Sequence, residues 1–173
     1  MPKLAEALAE RKGLQDRLIR LQQRLTACAK VQEGDQPAEM PADLLSEAER
    51  TSAEIKRLTI AINRTNSQSR LTDPATPPGE RDTNGISQTI MEAIAERDRL
   101  QSQRQTLDLL SQAARPEARS YGATRNEIKW RPTVDIAVLQ AQIDQVAQAY
   151  RALDTQIQAA NWFTELINIE SGT

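Results

Sequence analysis

Histidine is absent from this 173-residue chain, and cysteine occurs once, at Cys28. Without an imidazole there is no Ser-His-Asp or Cys-His nucleophile system, no His-ligated zinc or haem, and no histidine base poised near neutral pH. One thiol makes neither an intramolecular disulfide nor a multi-thiolate metal site. Aromatic residues number five, Tyr121, Trp130, Tyr150, Trp162 and Phe163, all in the second half. Neither sign of charge dominates: 22 basic residues meet 24 acidic ones. No global field therefore draws the molecule to nucleic acid or an anionic surface. No stretch of 18 consecutive apolar residues occurs, and Met1-Pro2-Lys3 runs into a charged amphipathic segment without a signal-peptide hydrophobic region. A cytoplasmic location is the expectation.

Glycine and proline are concentrated at Pro37, Pro41, Pro74, Pro77, Pro78, Gly79, Gly85, Pro116, Gly122 and Pro132. Between them lie four windows, roughly 3–33, 42–70, 86–115 and 133–169, rich in Ala, Leu, Gln, Glu and Arg and interrupted only by Gly13. Each carries an apolar stripe at heptad spacing: Leu4, Ala7, Arg11, Leu14, Leu18, Leu21, Leu25 and Cys28 in the first, Leu44, Ala48, Thr51, Ile55, Leu58, Ile62 and Thr65 in the second. The third runs Ile86, Ile90, Ala93, Arg97, Leu100, Arg104, Leu107, and the fourth Ile136, Leu139, Ile143, Val146, Tyr150, Leu153, Ile157, Ala160. Helices of this size are roughly 40 Å long, which suits an extended bundle.

A repeat accompanies the stripes. Leu4-Ala-Glu-Ala-Leu-Ala-Glu-Arg11 matches Ile90-Met-Glu-Ala-Ile-Ala-Glu-Arg97 at a spacing of 86, and Leu44, Leu58, Ile62 and Asn66 match Leu139, Leu153, Ile157 and Asn161 at a spacing of 95. The expected fold is all-α: one domain over residues 1–173, an antiparallel four-helix coiled-coil bundle of two pseudo-repeated hairpins. Hairpin 1 covers about 3–66, a crossover loop 67–85, and hairpin 2 about 86–169. Residues 1–30 carry seven basic and three acidic side chains, residues 31–54 seven acidic and one basic, so the first two helices attract. Alternation at Ile128 and Trp130 suggests a short strand, with Lys30-Val-Gln as its partner in a two-stranded β ribbon at one end.

Several constellations could carry chemistry. Glu6 and Glu10 share a helix face at i, i+4, and Glu92 and Glu96 repeat that geometry. If the four met, their hard oxygens would hold a divalent metal and activate water on a phosphate ester, as in a metal-dependent phosphoesterase or nucleotide hydrolase. Otherwise they pair with arginine, and no cofactor is expected. Arg11, Arg97 and Arg104 occupy core-type positions and need acidic partners, with Glu10, Glu96 and Asp154 as candidates; two related arginines would also suit an anion. Asn63, Arg64 and Asn66, with Asn161 and Trp162, lie near helix ends, where asparagine caps or lines a ligand pocket. Lys129 and Trp130 belong to a stretch interleaving basic and aromatic side chains, which suits a partner protein better than nucleic acid in a near-neutral chain. Cys28 reads as a small core hydrophobe.

Taken together, Lys3-Leu-Ala-Glu-Ala-Leu-Ala-Glu-Arg11, Ala29-Lys-Val-Gln-Glu-Gly34, Ile62-Asn-Arg-Thr-Asn66, Ala93-Ile-Ala-Glu-Arg-Asp98, Glu127-Ile-Lys129, Thr133-Val-Asp135 and Asp154-Thr-Gln-Ile-Gln-Ala-Ala-Asn-Trp162 carry a family resemblance. Over nearly its whole length the chain resembles a family of small uncharacterised bacterial proteins, some labelled septicolysin. The resemblance implies no catalytic residue. The label implies a thiol-activated, membrane-active cytolysin, for which Cys28 is the sole thiol and no strongly hydrophobic amphipathic helix is present. The leading expectation is a structural or interaction protein without enzymatic activity. Apolar Leu8, Leu45, Ile60, Ile94 and Leu109 outside the core stripe point to a homo-oligomer, most simply a dimer, or to a protein partner. Nucleic acid and membrane are not expected partners.

Overall fold

The computed structural model describes residues 1–71, 88–115 and 131–167. Four helices account for most of them: α1 (Leu4–Ala27), α2 (Pro41–Gln68), α3 (Ile90–Ala114) and α4 (Ile136–Phe163). No sheet occurs among the described residues, so the chain is all-helical there. Local chemistry starts each helix. Pro41 occupies the first turn of α2, where its missing N–H has no intrahelical acceptor to lose, and Asp43 follows it toward the positive helix end. Asp135 caps α4: its Oδ1 accepts the N–H groups of Ala137 at 2.8 Å and Val138 at 3.2 Å. Such a cap contributes about 1 kcal/mol. At α1 the Glu6 carboxylate accepts the Lys3 N–H at 2.8 Å.

The described chain divides into two compact units, Met1–Met91 with Gln158–Thr173, and Glu92–Ile157. In the first, α1 and α2 pack together, with Leu4, Ala7, Leu21, Leu44, Leu58, Ala61 and Ile62 buried between elements. Burial of each leucine or isoleucine side chain stabilises by about 1.5–3 kcal/mol. Arg17 of α1 meets Glu47 of α2, and Arg24 of α1 meets Glu39, two residues before α2. Residues 28–40 join the two helices. Their turn contains Gly34 at φ 96°, a left-handed conformation that glycine adopts without steric penalty, beside the Asp35 N–H to Gln32 carbonyl bond of 3.0 Å. In the second unit Ala93, Leu100, Leu139, Ile143, Ala147 and Ile157 are buried.

Two short backbone closures lie within the first unit. Lys3 bridges Glu165 in antiparallel fashion, with Leu4 N–H donating to the Thr164 carbonyl at 2.9 Å and Leu166 N–H to that of Pro2 at 2.9 Å. Arg70 bridges Thr89 likewise, with Ile90 N–H donating to Ser69 at 2.9 Å and Leu71 N–H to Gln88 at 2.8 Å. Pro2 and Leu4 precede their counterparts Gln88 and Ile90 by 86 residues; Ser69 and Leu71 precede Thr164 and Leu166 by 95. Helix limits follow the same spacings, since α1 and α3 begin at Leu4 and Ile90, and α2 and α4 span Pro41–Gln68 and Ile136–Phe163.

These bridges are not where a ribbon was expected. Residues 30–32 form no strand, and residues 128–130 lie outside the described residues. Arg104 also departs from its expected core position: its side chain is half exposed and pairs along its own helix with Asp108 at 3.6 Å. Cys28 is the C-cap of α1 rather than a residue inside it, and its thiol is half-buried.

Candidate functional site

The charge complementarity of α1 and α2 is realised in two arginine–glutamate contacts. Arg17 donates to Glu47 Oε1 from Nε at 3.2 Å and from Nη2 at 2.6 Å, and Arg24 grips both carboxylate oxygens of Glu39. Hydrogen bonds from these arginines hold the carboxyl groups of Glu39 and Glu47 below the usual glutamate range. Both pairs are open to water, so each is a modest, salt-sensitive contribution.

Arg97 and Arg11, 86 residues apart in sequence, are both half-buried and differ in their partners. Arg97 donates to Asp98 Oδ1 at 3.2 and 2.9 Å, and its Nη1 lies 3.5 Å from Asp154 on α4. The bond to Asp98 raises the Arg97 pKa, and Tyr150 and Asp154 add to it. Arg11 is half-buried, and its Nε is enclosed without a hydrogen-bond acceptor. An enclosed donor left unpaired costs about 1–3 kcal/mol.

The four glutamates of the expected metal cluster each have a place. Glu6 accepts the Lys3 N–H, and Glu10 is exposed on α1. Glu92 lies in the first turn of α3, and Glu96 accepts two bonds from Arg99, at 2.7 and 2.8 Å. Those bonds lower the Glu96 pKa. Among the described residues no group of three or more His, Cys, Asp or Glu side chains is placed to hold a metal ion.

At the C-terminal ends of α2 and α4, Asn63 and Arg64 are exposed, Asn66 and Asn161 half-buried. Asn66 Oδ1 is enclosed without a partner, and no side-chain bond joins it to Asn161. Trp162 stands 65% exposed beside Phe163 at 68%. The residue that organises this end is Thr65, completely buried. Its hydroxyl donates to the Ala61 carbonyl at 2.8 Å and accepts the Ile167 N–H at 3.0 Å. The heptad stripe contained Thr65, but nothing in the pattern pointed to a contact spanning 102 residues. Lys129 and Trp130 lie outside the described residues. No described helix is long and apolar enough to cross a membrane.

Residues 11–166 match a family described as "Family of unknown function (DUF6847)", and the chain belongs to it. It is also similar to a solved structure from Corynebacterium diphtheriae, described as a functionally unknown conserved protein. The identity is 37% and the TM-score 0.79, over 96% of this chain and 99% of that one. No curated protein matches the chain.

Proposed function

We propose that this chain is a cytoplasmic helical interaction module, built as a duplicated antiparallel coiled-coil hairpin, that associates with a second copy through the end of α4. The observation that carries this reading is the exposed pair Trp162 and Phe163. Large aromatics left in water forgo substantial apolar burial and are the commonest anchors of protein contacts. The duplication sharpens the point. At the spacing of 95, the matching positions at the end of α2 are Ser67 and Gln68. The helix end forms equally well with those polar residues, so the fold does not call for aromatics at Trp162 and Phe163. A two-fold dimer lets the pair pack on its own copy, and a net charge of −2 sets little repulsion against it. Leu45, Ile60 and Leu109, exposed at 52%, 44% and 67%, add apolar surface; Leu8 and Ile94 are half-buried and add less.

The test is sedimentation of the wild type beside a Trp162→Ser, Phe163→Gln double variant, which copies the end of α2. A dimeric wild type and a monomeric variant of unchanged helicity and melting temperature are expected. A wild type that stays monomeric across the concentration range overturns the reading.

A further inference from the structure

We propose that Arg11 holds an oxyanion supplied from outside the chain, through the Nη edge of its guanidinium. The inference rests on the duplication, because comparing the halves shows what Arg11 lacks. Three neighbours raise the Arg97 pKa: Asp98, Tyr150 and Asp154. Their counterparts around Arg11, at spacings of 86 and 95, are Lys12, Ile55 and Thr59. One carboxylate has become an ammonium, the other a hydroxyl, and the phenol an alkyl group. The Thr59 hydroxyl donates to the Ile55 carbonyl at 2.8 Å and carries no charge to set against the guanidinium.

Nearby acids do not make up the loss. Glu6 accepts the Lys3 N–H, Glu54 lies 3.5 Å from Arg57, and Glu10 makes no ion pair with Arg11. The result is a half-buried arginine with an ammonium next to it in sequence, an enclosed Nε and no hydrogen-bond acceptor among the described residues. A carboxylate or phosphate on such a cation forms a charge-assisted contact stronger than a neutral hydrogen bond. Nε is enclosed, so the contact falls on Nη1 and Nη2, which together match two oxygens of a phosphate or carboxylate.

The test uses the full chain and follows its melting temperature against added inorganic phosphate or acetate, with chloride at equal ionic strength as the reference. The wild type is expected to gain several degrees in a saturable manner. Response to phosphate alone marks a phosphate ligand, and response to acetate alone a carboxylate. Arg11→Met loses the response. Thr59→Asp, which restores the acid found at Asp154, melts higher without added anion and no longer responds. A wild type indifferent to both anions, or an Arg11→Met variant that responds like it, overturns the anion site. If neither Thr59→Asp nor Lys12→Asp raises the anion-free melting temperature, the equivalence of the halves fails instead.

Discussion

Ile167 donates its backbone N–H to the hydroxyl oxygen of Thr65 at 3.0 Å. This bond ties the segment after α4 to the buried face of α2 near its C-terminal end, where Thr65 is completely enclosed. Its counterpart at the spacing of 95 is Ala160, buried but without a hydroxyl. At this end the two positions are alike in burial and differ in side-chain chemistry.

Thr65→Val keeps the shape of the side chain and removes the acceptor. The Ile167 N–H then loses its partner, and a loss of about 1–3 kcal/mol is expected. Thr65→Ser retains the oxygen and should recover much of it. Denaturant titration of both variants measures the difference, and hydrogen exchange at Ile167 should accelerate in Thr65→Val.

Acid should weaken the protein through Glu39, Glu47 and Glu96. Each is held below the usual glutamate range by an arginine hydrogen bond, from Arg24, Arg17 and Arg99 in turn. A carboxyl lowered in the folded state binds fewer protons there than in the unfolded chain. Its stabilisation is therefore complete above the ordinary glutamate value and lost as pH falls through the lowered folded value. A Glu39→Gln, Glu47→Gln double variant should be less stable at neutral pH and show a shallower decline in acid. Roughly 1 M salt should shrink the difference, because these groups face water. Melting curves across pH at two salt concentrations check both points.

Gly13 lies inside α1, and a Cβ built there meets nothing within 4 Å. Glycine in a helix interior is less favourable than alanine by about 0.8–1.0 kcal/mol. Gly13→Ala is expected to stabilise by up to that amount, read as a higher denaturation midpoint at unchanged slope.

Helix existence was legible in the sequence because breakers were few and the apolar stripes kept a helical period. Helix ends were less so. The first window ran to residue 33, yet α1 stops at Ala27, and the first glycine after it is Gly34. The fourth window ran to 169, yet α4 stops at Phe163 because Thr164 and Leu166 bond to Leu4 and Pro2. Pairing across the length of the chain has no signature in local composition. Among site residues, the pairing of Arg97 with Asp154 was readable because an arginine on the apolar stripe needs an acid from a facing helix, whereas the exposure of Trp162 and Phe163 was not. Hydrophobicity alone places aromatics inside, and only the neighbouring elements decide which side of a final helical turn is covered.

The closure between Pro2–Leu4 and Thr164–Leu166 uses the same pair of backbone bonds as the closure between Ser69–Leu71 and Gln88–Ile90. Which of the two closures lies next to a connecting segment is therefore a matter of connectivity rather than a requirement of the hydrogen bonding. A circular permutant that opens between residues 71 and 88 and joins the present ends through a flexible linker keeps all four closing bonds, exchanging only which pair is covalently continued.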